Sequence, residues 1–154
     1  MDYEEVDYEE YEKKCDKIRE DNEKYLIIFE NDLESKGLSR KTINSHVSNA
    51  DFYINAFLLY YDPVPMKNGY DYIDSFLGNY FIRKCMWSTP GTIKTTAASI
   101  KRFYKCMLDK GEIYQSDYDE LCEIIKSDME EWQDTCRRFN DLSEENPFAP
   151  FFDE

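Results

Sequence analysis

The chain has 154 residues, the size of one domain whose core needs no disulfide or metal ion to hold it together. Its composition, 42% hydrophobic and 16% aromatic, argues against disorder, and five glycines with five prolines are too few for a turn-rich β-sandwich. The longest apolar runs are three or four residues, against the roughly 20 that span a membrane. Met1 precedes acidic residues rather than the basic start of a signal peptide. We therefore expect a cytoplasmic protein that is neither secreted nor membrane-inserted.

The charge is distributed unevenly, although the net charge of the whole chain is −14. Residues 1–35 contain 5 Lys and Arg against 14 Asp and Glu, residues 36–110 contain 11 against 5, and residues 111–154 contain 3 against 14. A centre of net charge +6 therefore lies between arms of −9 and −11. The basic centre indicates an anionic partner that the overall charge conceals.

Apolar residues recur with a period near 3.6, which predicts an all-α protein built from amphipathic helices. The first helix is predicted from about Glu9 to Ser35, and Gly37 closes it because glycine is the usual residue just past a helix end. Ser39 is predicted to cap the second helix. That helix ends at residues 62–65, where two prolines interrupt the chain.

Three further segments follow in chain order. The third helix is predicted from about Tyr70 to Met86, and Thr89 with Pro90 has the pattern of an N-cap and first helical position for the fourth. The fourth helix ends at Gly111, and a fifth begins near residue 116. The last stretch, with its prolines and phenylalanines, is predicted to be an irregular tail. Four or five helices with short loops predict a helical bundle.

Cysteine and histidine usage argues against a catalytic or metal-binding role. The five cysteines are widely spaced without a C-x-x-C pair, which is typical of reduced, buried thiols. The single histidine, His46, excludes most histidine-based zinc sites and catalytic arrangements. Its position one residue off the apolar stripe of the second helix predicts a surface or cap-proximal location. We predict no cofactor, no metal site and no enzymatic activity.

The segment from Gly37 to Ile43, followed by Phe52 and Phe57, resembles the opening of the N-terminal core-binding domain of tyrosine recombinases, the phage-integrase family. The resemblance continues through Ile73 and returns at residues 98–104, so that it covers about residues 24–114. Its motifs are helix caps and aromatic spacings, without a catalytic signature. The resemblance implies a SAM-like four-helix core bundle.

Four segments follow from the resemblance and the charge pattern. Residues 1–20 form an acidic arm that continues into the first helix, and residues 21–114 form the domain that resembles the core-binding domain. Residues 115–140 form an additional helix, and residues 141–154 form an acidic tail.

The resemblance implies a clamp that grips duplex DNA with its second and fourth helices, in the setting of DNA recombination. In full recombinases a separate domain carries the catalytic Arg, His-x-x-Arg and Tyr residues, and this constellation cannot be assembled here with one histidine. Tyr114 and Tyr118 are phenols without an activating base. We expect a non-catalytic accessory or regulatory factor.

Side chains of the second and fourth helices are predicted to contact the DNA. Lys94, Lys101 and Lys105 recur at i, i+7 and i+11 and so share one helix face, opposite the apolar stripe. Lys and Arg neutralise phosphates, and Arg and Asn also bond base edges. The predicted set is Arg40, Lys41, Asn44, Lys94, Lys101, Arg102 and Lys105.

Two alternatives remain open. The lysines could be ordinary solvated residues whose stems cover the core, in which case the chain is an acidic protein-interaction module that binds a basic partner through its termini. Alternatively, the acidic arms fold over the basic face and weaken DNA binding until they are displaced. Resemblance of fold does not by itself decide among these functions.

Overall fold

The computed structural model describes residues 3–149, with side chains from residue 7 onward, and these residues form five helices and no strand. The helices are α1 (Tyr3–Ser35), α2 (Arg40–Asp51), α3 (Ile73–Ser75, Phe76–Tyr80 and Phe81–Lys84 in direct succession), α4 (Pro90–Asp109) and α5 (Gln115–Asn140). The all-helical class is confirmed. Part of the predicted tail, residues 150–154, lies outside the described residues.

Local sequence signals place the starts of α2 and α4. Ser39 Oγ accepts a hydrogen bond from the Thr42 amide at 3.2 Å. At α4, Thr89 Oγ1 accepts from the Thr92 amide at 3.0 Å, and Thr92 Oγ1 accepts from the Thr89 amide at 2.7 Å. These bonds satisfy amides that have no partner within the helix. Both predicted caps are confirmed, as is Pro90 at the first position of α4.

Glycines end two of the helices in the predicted places. Gly37 follows α1 with φ of 77°, and Gly111 follows α4 with φ of 76°. Only glycine adopts this left-handed conformation without a steric penalty from a Cβ atom. The chain therefore reverses sharply after both helices, which places α2 against α1 and α5 against α4.

The middle of the chain departs from the regular helices that its periodicity predicts. After α2 the helix continues as a π-helical turn, Phe52–Phe57, and α3 contains a second one, Phe76–Tyr80. α3 begins at Ile73 rather than near Tyr70. Aromatic rings from the two turns pack against each other, with the centroids of Phe57 and Phe76 4.9 Å apart. The wider turns accommodate these large rings, a requirement set by tertiary packing.

Two buried tyrosines attach the loop between α2 and α3 to the core. Tyr53 Oη donates to the Gly69 carbonyl at 2.5 Å, and Tyr104 Oη donates to the Met66 carbonyl at 2.9 Å. Both tyrosines are fully buried, and burial raises the pKa of each phenol. The loop is therefore fixed by bonds made inside the core, where an unpaired hydroxyl would be costly.

The first helix is joined to the π-helical turn that follows α2. Tyr11 Oη donates to the Leu59 carbonyl. Further along, the fully buried Asn22 donates from Nδ2 to the Ile54 carbonyl at 3.1 Å and to Asn55 Oδ1 at 2.7 Å. Residues 7–35 of α1 are thus part of the bundle rather than a loose arm beside it.

The contact between α3 and α5 is close and contains the largest buried side chain. Trp132 is 1% exposed, and its indole Nε1 donates to Asp74 Oδ1 at 2.7 Å. A Cβ atom at Gly78 would lie 2.8 Å from Trp132 Cδ1, so the absence of a side chain there permits the approach. Trp132 is therefore a core residue.

The cysteines are free, as their spacing indicates. Four of them are buried and Cys122 is half-buried. Burial raises the pKa of both Cys85 and Cys106 to about 11, so these thiols are protonated at neutral pH. Among residues 3–149, no helix has the length and apolarity that a membrane span requires.

Candidate nucleic-acid interface

Helices α2 and α4 pack side by side through a polar contact. His46 Nδ1 lies 2.8 Å from Ser99 Oγ, and Asn49 Nδ2 donates to the same oxygen at 3.0 Å. Ser99 is 1% exposed and also donates to the Thr95 carbonyl at 3.2 Å. The Ser99 hydroxyl proton is used in the bond to Thr95, so Ser99 Oγ can only accept from His46. A neutral His46 that makes this bond therefore carries its proton on Nδ1.

The imidazole of His46, for which the sequence predicts a surface or cap-proximal position, is half-buried in the contact between α2 and α4. Its burial lowers the pKa of the imidazole, and the positive charge of Arg102 lowers it further. The partner, Ser99, lies 53 residues along the chain. No local pattern connects the two residues, so only the packing of α2 on α4 reveals the bond.

All seven side chains predicted to contact DNA are exposed, but they divide into two groups. On α4, Lys94, Lys101 and Lys105 recur on one face of a continuous helix, as their spacing predicts. Arg102 is close enough to His46 of α2 to depress its pKa, so the α4 cations extend to the α2 side. The four cations of α4 therefore form the first group, with Arg102 at the side of the helix that packs against α2.

Arg40 and Asn44 lie on the opposite side of α2, towards α1. The Arg40 guanidinium forms ion pairs with Glu30, at 2.7 Å, and with Glu34, and it lies 3.5 Å from Asn44 Oδ1. The two carboxylates raise the pKa of Arg40. The positive charge of Arg40 is thus neutralised by two carboxylates of α1, which the sequence pattern did not predict.

Lys105 is also partly compensated. Its ammonium group forms an ion pair with Asp109 at 3.2 Å and lies 5.8 Å from the centre of the Tyr118 ring on α5. Burial raises the pKa of Tyr118 to about 12, so the ring is a neutral neighbour of this cation. Such an exposed pair contributes only about 0–1 kcal/mol, and a phosphate competes readily with the Asp109 carboxylate.

Of the six cations in the predicted set, four form no ion pair among the side chains of residues 7–149. They are exposed and come from α2 and α4: Lys41, Lys94, Lys101 and Arg102. Ser45 and Ser48 are exposed on α2 and add neutral hydrogen-bonding groups. We call these six residues, together with Lys105, the cationic face. Within residues 3–149, no three His, Cys, Asp or Glu side chains are grouped so as to hold a metal ion.

Within residues 7–149, no carboxylate of the acidic arms forms an ion pair with Lys41, Lys94, Lys101 or Arg102. Residues 7–35 continue along α1, whose carboxylates pair with Arg40. In the tail, Phe148 is 5% exposed and packs on Phe139 of α5 with ring centroids 5.7 Å apart. The tail therefore returns to the bundle at α5.

No family model matches this chain, and comparisons with curated proteins and with solved structures give no match either.

Proposed function

We propose that this protein binds duplex DNA through the cationic face, as an accessory or regulatory factor that performs no chemistry on the DNA. In this proposal residues 21–114 have the SAM-like architecture of a recombinase core-binding domain, and α2 and α4 lie against the DNA. The observation that carries it is the group of four exposed cations on two adjacent helices, none paired with a carboxylate among the side chains of residues 7–149. The net charge of −14 makes such a group unexpected.

The physical basis of the affinity is the release of counterions. Each Lys or Arg that neutralises a phosphate releases condensed cations, so the binding constant falls with salt by a slope of about −0.9 per contact. Four contacts therefore weaken binding about 100-fold between roughly 50 and 200 mM salt. Ser45 and Ser48 can bond phosphate oxygens or base edges between these charges.

Fluorescence anisotropy of a labelled random-sequence duplex tests the proposal. We expect saturable binding with the salt dependence above, and a loss of at least about tenfold for Lys101→Glu/Arg102→Glu, with a salt slope lower by about two. The matched control is Lys13→Glu/Lys126→Glu, which makes the same change of charge at exposed lysines of α1 and α5. Equal losses in both double variants, or no binding by the folded protein at about 50 mM salt, contradict the proposal.

The ion pairs of Arg40 offer a second test in the opposite direction. Replacing both partners in Glu30→Gln/Glu34→Gln leaves the Arg40 guanidinium uncompensated, and we expect duplex binding to tighten by about three- to tenfold because one further phosphate contact becomes available. The control, Glu20→Gln/Glu23→Gln, removes two exposed carboxylates of the same helix that form no ion pair in the described residues. A similar gain from the control would assign the effect to net charge alone.

A second candidate function is a protein-interaction module for a basic partner. The observation in its favour is the row of exposed carboxylates on α1, which includes Glu9, Glu10, Glu20 and Glu23. This candidate predicts that Lys101→Glu/Arg102→Glu leaves partner binding intact, whereas Glu20→Gln/Glu23→Gln weakens it. The same two double variants therefore separate the candidates.

A further inference from the structure

Two large apolar side chains are exposed in the loop between α3 and α4. Met86 is 100% exposed, and Trp87 is 59% exposed immediately before the residues that cap α4. The other tryptophan, Trp132, is 1% exposed. An exposed aromatic ring beside a positively charged groove is the arrangement with which proteins stack unpaired bases. No part of the DNA contact described above uses Trp87.

The Trp87 ring is held in place although one side of it is open to solvent. Its edge contacts are with Phe52, at a centroid distance of 6.2 Å, and with Phe81, at 6.4 Å. The loop backbone is fixed by Asn140 of α5, whose Nδ2 donates to the Ser88 carbonyl at 2.8 Å. A ring that is already ordered loses little conformational entropy when a ligand stacks on it.

Trp87 lines a cavity of about 220 Å³. A cavity of about 150 Å³ holds one benzene molecule, so this one has room for the ring of a nucleobase. Its wall combines aromatic surface for stacking with hydroxyl and amide groups that can bond a base edge. The lining residues are Ser48, Asn49, Phe52, Phe81, Trp87 and Thr96.

The cavity is continuous with the cationic face. Asn49 lines the cavity and donates to Ser99 at 3.0 Å, in the same cluster that contains His46. Ser48 belongs both to the cavity wall and to the cationic face. A polyanion bound to α2 and α4 would therefore lie next to this cavity, whose lining suits an aromatic group that forms hydrogen bonds.

We propose that this cavity takes one unpaired nucleobase, stacked on Trp87, from DNA whose phosphates lie along the cationic face. The inference rests on the DNA binding proposed above and names the form of DNA that is preferred. The positive charge of the adjoining surface favours a nucleic acid as the occupant. The aromatic wall favours the base of that nucleic acid over its phosphate backbone. Because extruding a paired base costs free energy, a duplex that already contains an unpaired base binds more tightly.

Two labelled duplexes test the inference by anisotropy at about 50 mM salt: one fully paired, and one with a single unpaired adenine in an otherwise identical sequence. We expect the second to bind about tenfold more tightly, which is the effect of one stacked base. Trp87→Ala abolishes the preference, and Trp87→Phe retains part of it. Tyr114→Ala, at another exposed aromatic residue (78%), leaves it unchanged. Tryptophan fluorescence supplies a second readout, since the buried Trp132 is shielded and a change on binding reports Trp87.

The possible failures are distinguishable. If both duplexes bind equally and neither Trp87→Ala nor the fluorescence reveals a contact, the stacking site is refuted and DNA binding by the cationic face stands. If the folded protein binds neither duplex, the proposed function and the stacking site fail together. If the preference exists but persists in Trp87→Ala, the unpaired base is recognised elsewhere and the inference is overturned.

Discussion

The contact between α3 and α5 resembles the contact between α2 and α4 in one respect, but the two differ in what they bury. Each contains a hydrogen bond between side chains far apart in sequence, Trp132 to Asp74 in one and His46 to Ser99 in the other. The first buries the largest ring of the core, whereas the second joins small polar groups. Burial of an aromatic ring contributes far more free energy than a polar contact. We therefore infer that the α3–α5 contact contributes more to the free energy of unfolding than the α2–α4 contact does.

The charges beside these two contacts differ as well. On α5, Arg137 and Arg138 both form ion pairs with Asp134 at 3.2 Å. On α4, Lys94 and Lys101 form none among the side chains of residues 7–149. Arg137 and Arg138 are therefore neutralised within α5, whereas Lys94 and Lys101 of α4, which we propose for binding, are not neutralised by an ion pair within the described residues. Three predictions test what the residues of each contact contribute to stability.

The largest effect is expected at Trp132. Trp132→Ala removes a fully buried ring and leaves Asp74 without its donor, which lowers the free energy of unfolding by about 3–5 kcal/mol. Urea denaturation followed by circular dichroism measures the loss. Trp132→Phe keeps most of the packing and costs less. A loss below about 1 kcal/mol for Trp132→Ala would contradict the assignment of stability to the α3–α5 contact.

An intermediate effect is expected at Ser99. Ser99→Ala removes the shared partner of His46 and Asn49 and leaves two polar groups unpaired in the helix contact, at a cost of about 1–3 kcal/mol in unfolding free energy. Ser45→Ala makes the same chemical change at an exposed position of α2 and should stay within about 0.5 kcal/mol of the parent. Equal urea midpoints for the two variants would show that the buried bond contributes nothing.

The smallest effect is expected from the protonation of His46. Burial and Arg102 lower the pKa of the imidazole below 6.5, so the unfolded chain takes up a proton at a higher pH than the folded chain does. The free energy of unfolding therefore decreases as the pH falls from about 6.5 towards the lowered pKa. NMR titration of this single imidazole gives the pKa directly. We expect it to rise in Arg102→Gln, and an unchanged value would place the charge of Arg102 too far away to act.

Much of the fold was predictable because its signals are local. Ser39, Thr89 and Pro90 begin helices by bonds or ring geometry within three residues, and Gly37 and Gly111 end them through their own φ angles. The irregular region between α2 and α4 was not predictable in this way. Its π-helical turns depend on rings that meet across the core, such as Phe57 and Phe76.

The candidate site was likewise predictable where its signals are local and not predictable where it depends on contacts between helices. Spacing alone placed Lys94, Lys101 and Lys105 on one exposed face of α4, since a helical period fixes which residues share a face. It could not show that Glu30 and Glu34 compensate Arg40, because those contacts join residues of different helices.

By itself, then, the sequence determined the class of the fold, the end of α1, the start of α2, both ends of α4 and the basic centre between acidic arms. The tertiary structure decided which of those charges stay unpaired, that His46 bonds Ser99, and that Trp87 lines a cavity next to the cationic face. The physical reason is the range of the interactions. Caps and periodicity act within one or two helical turns, whereas ion pairs, cavities and buried hydrogen bonds depend on which helices become neighbours.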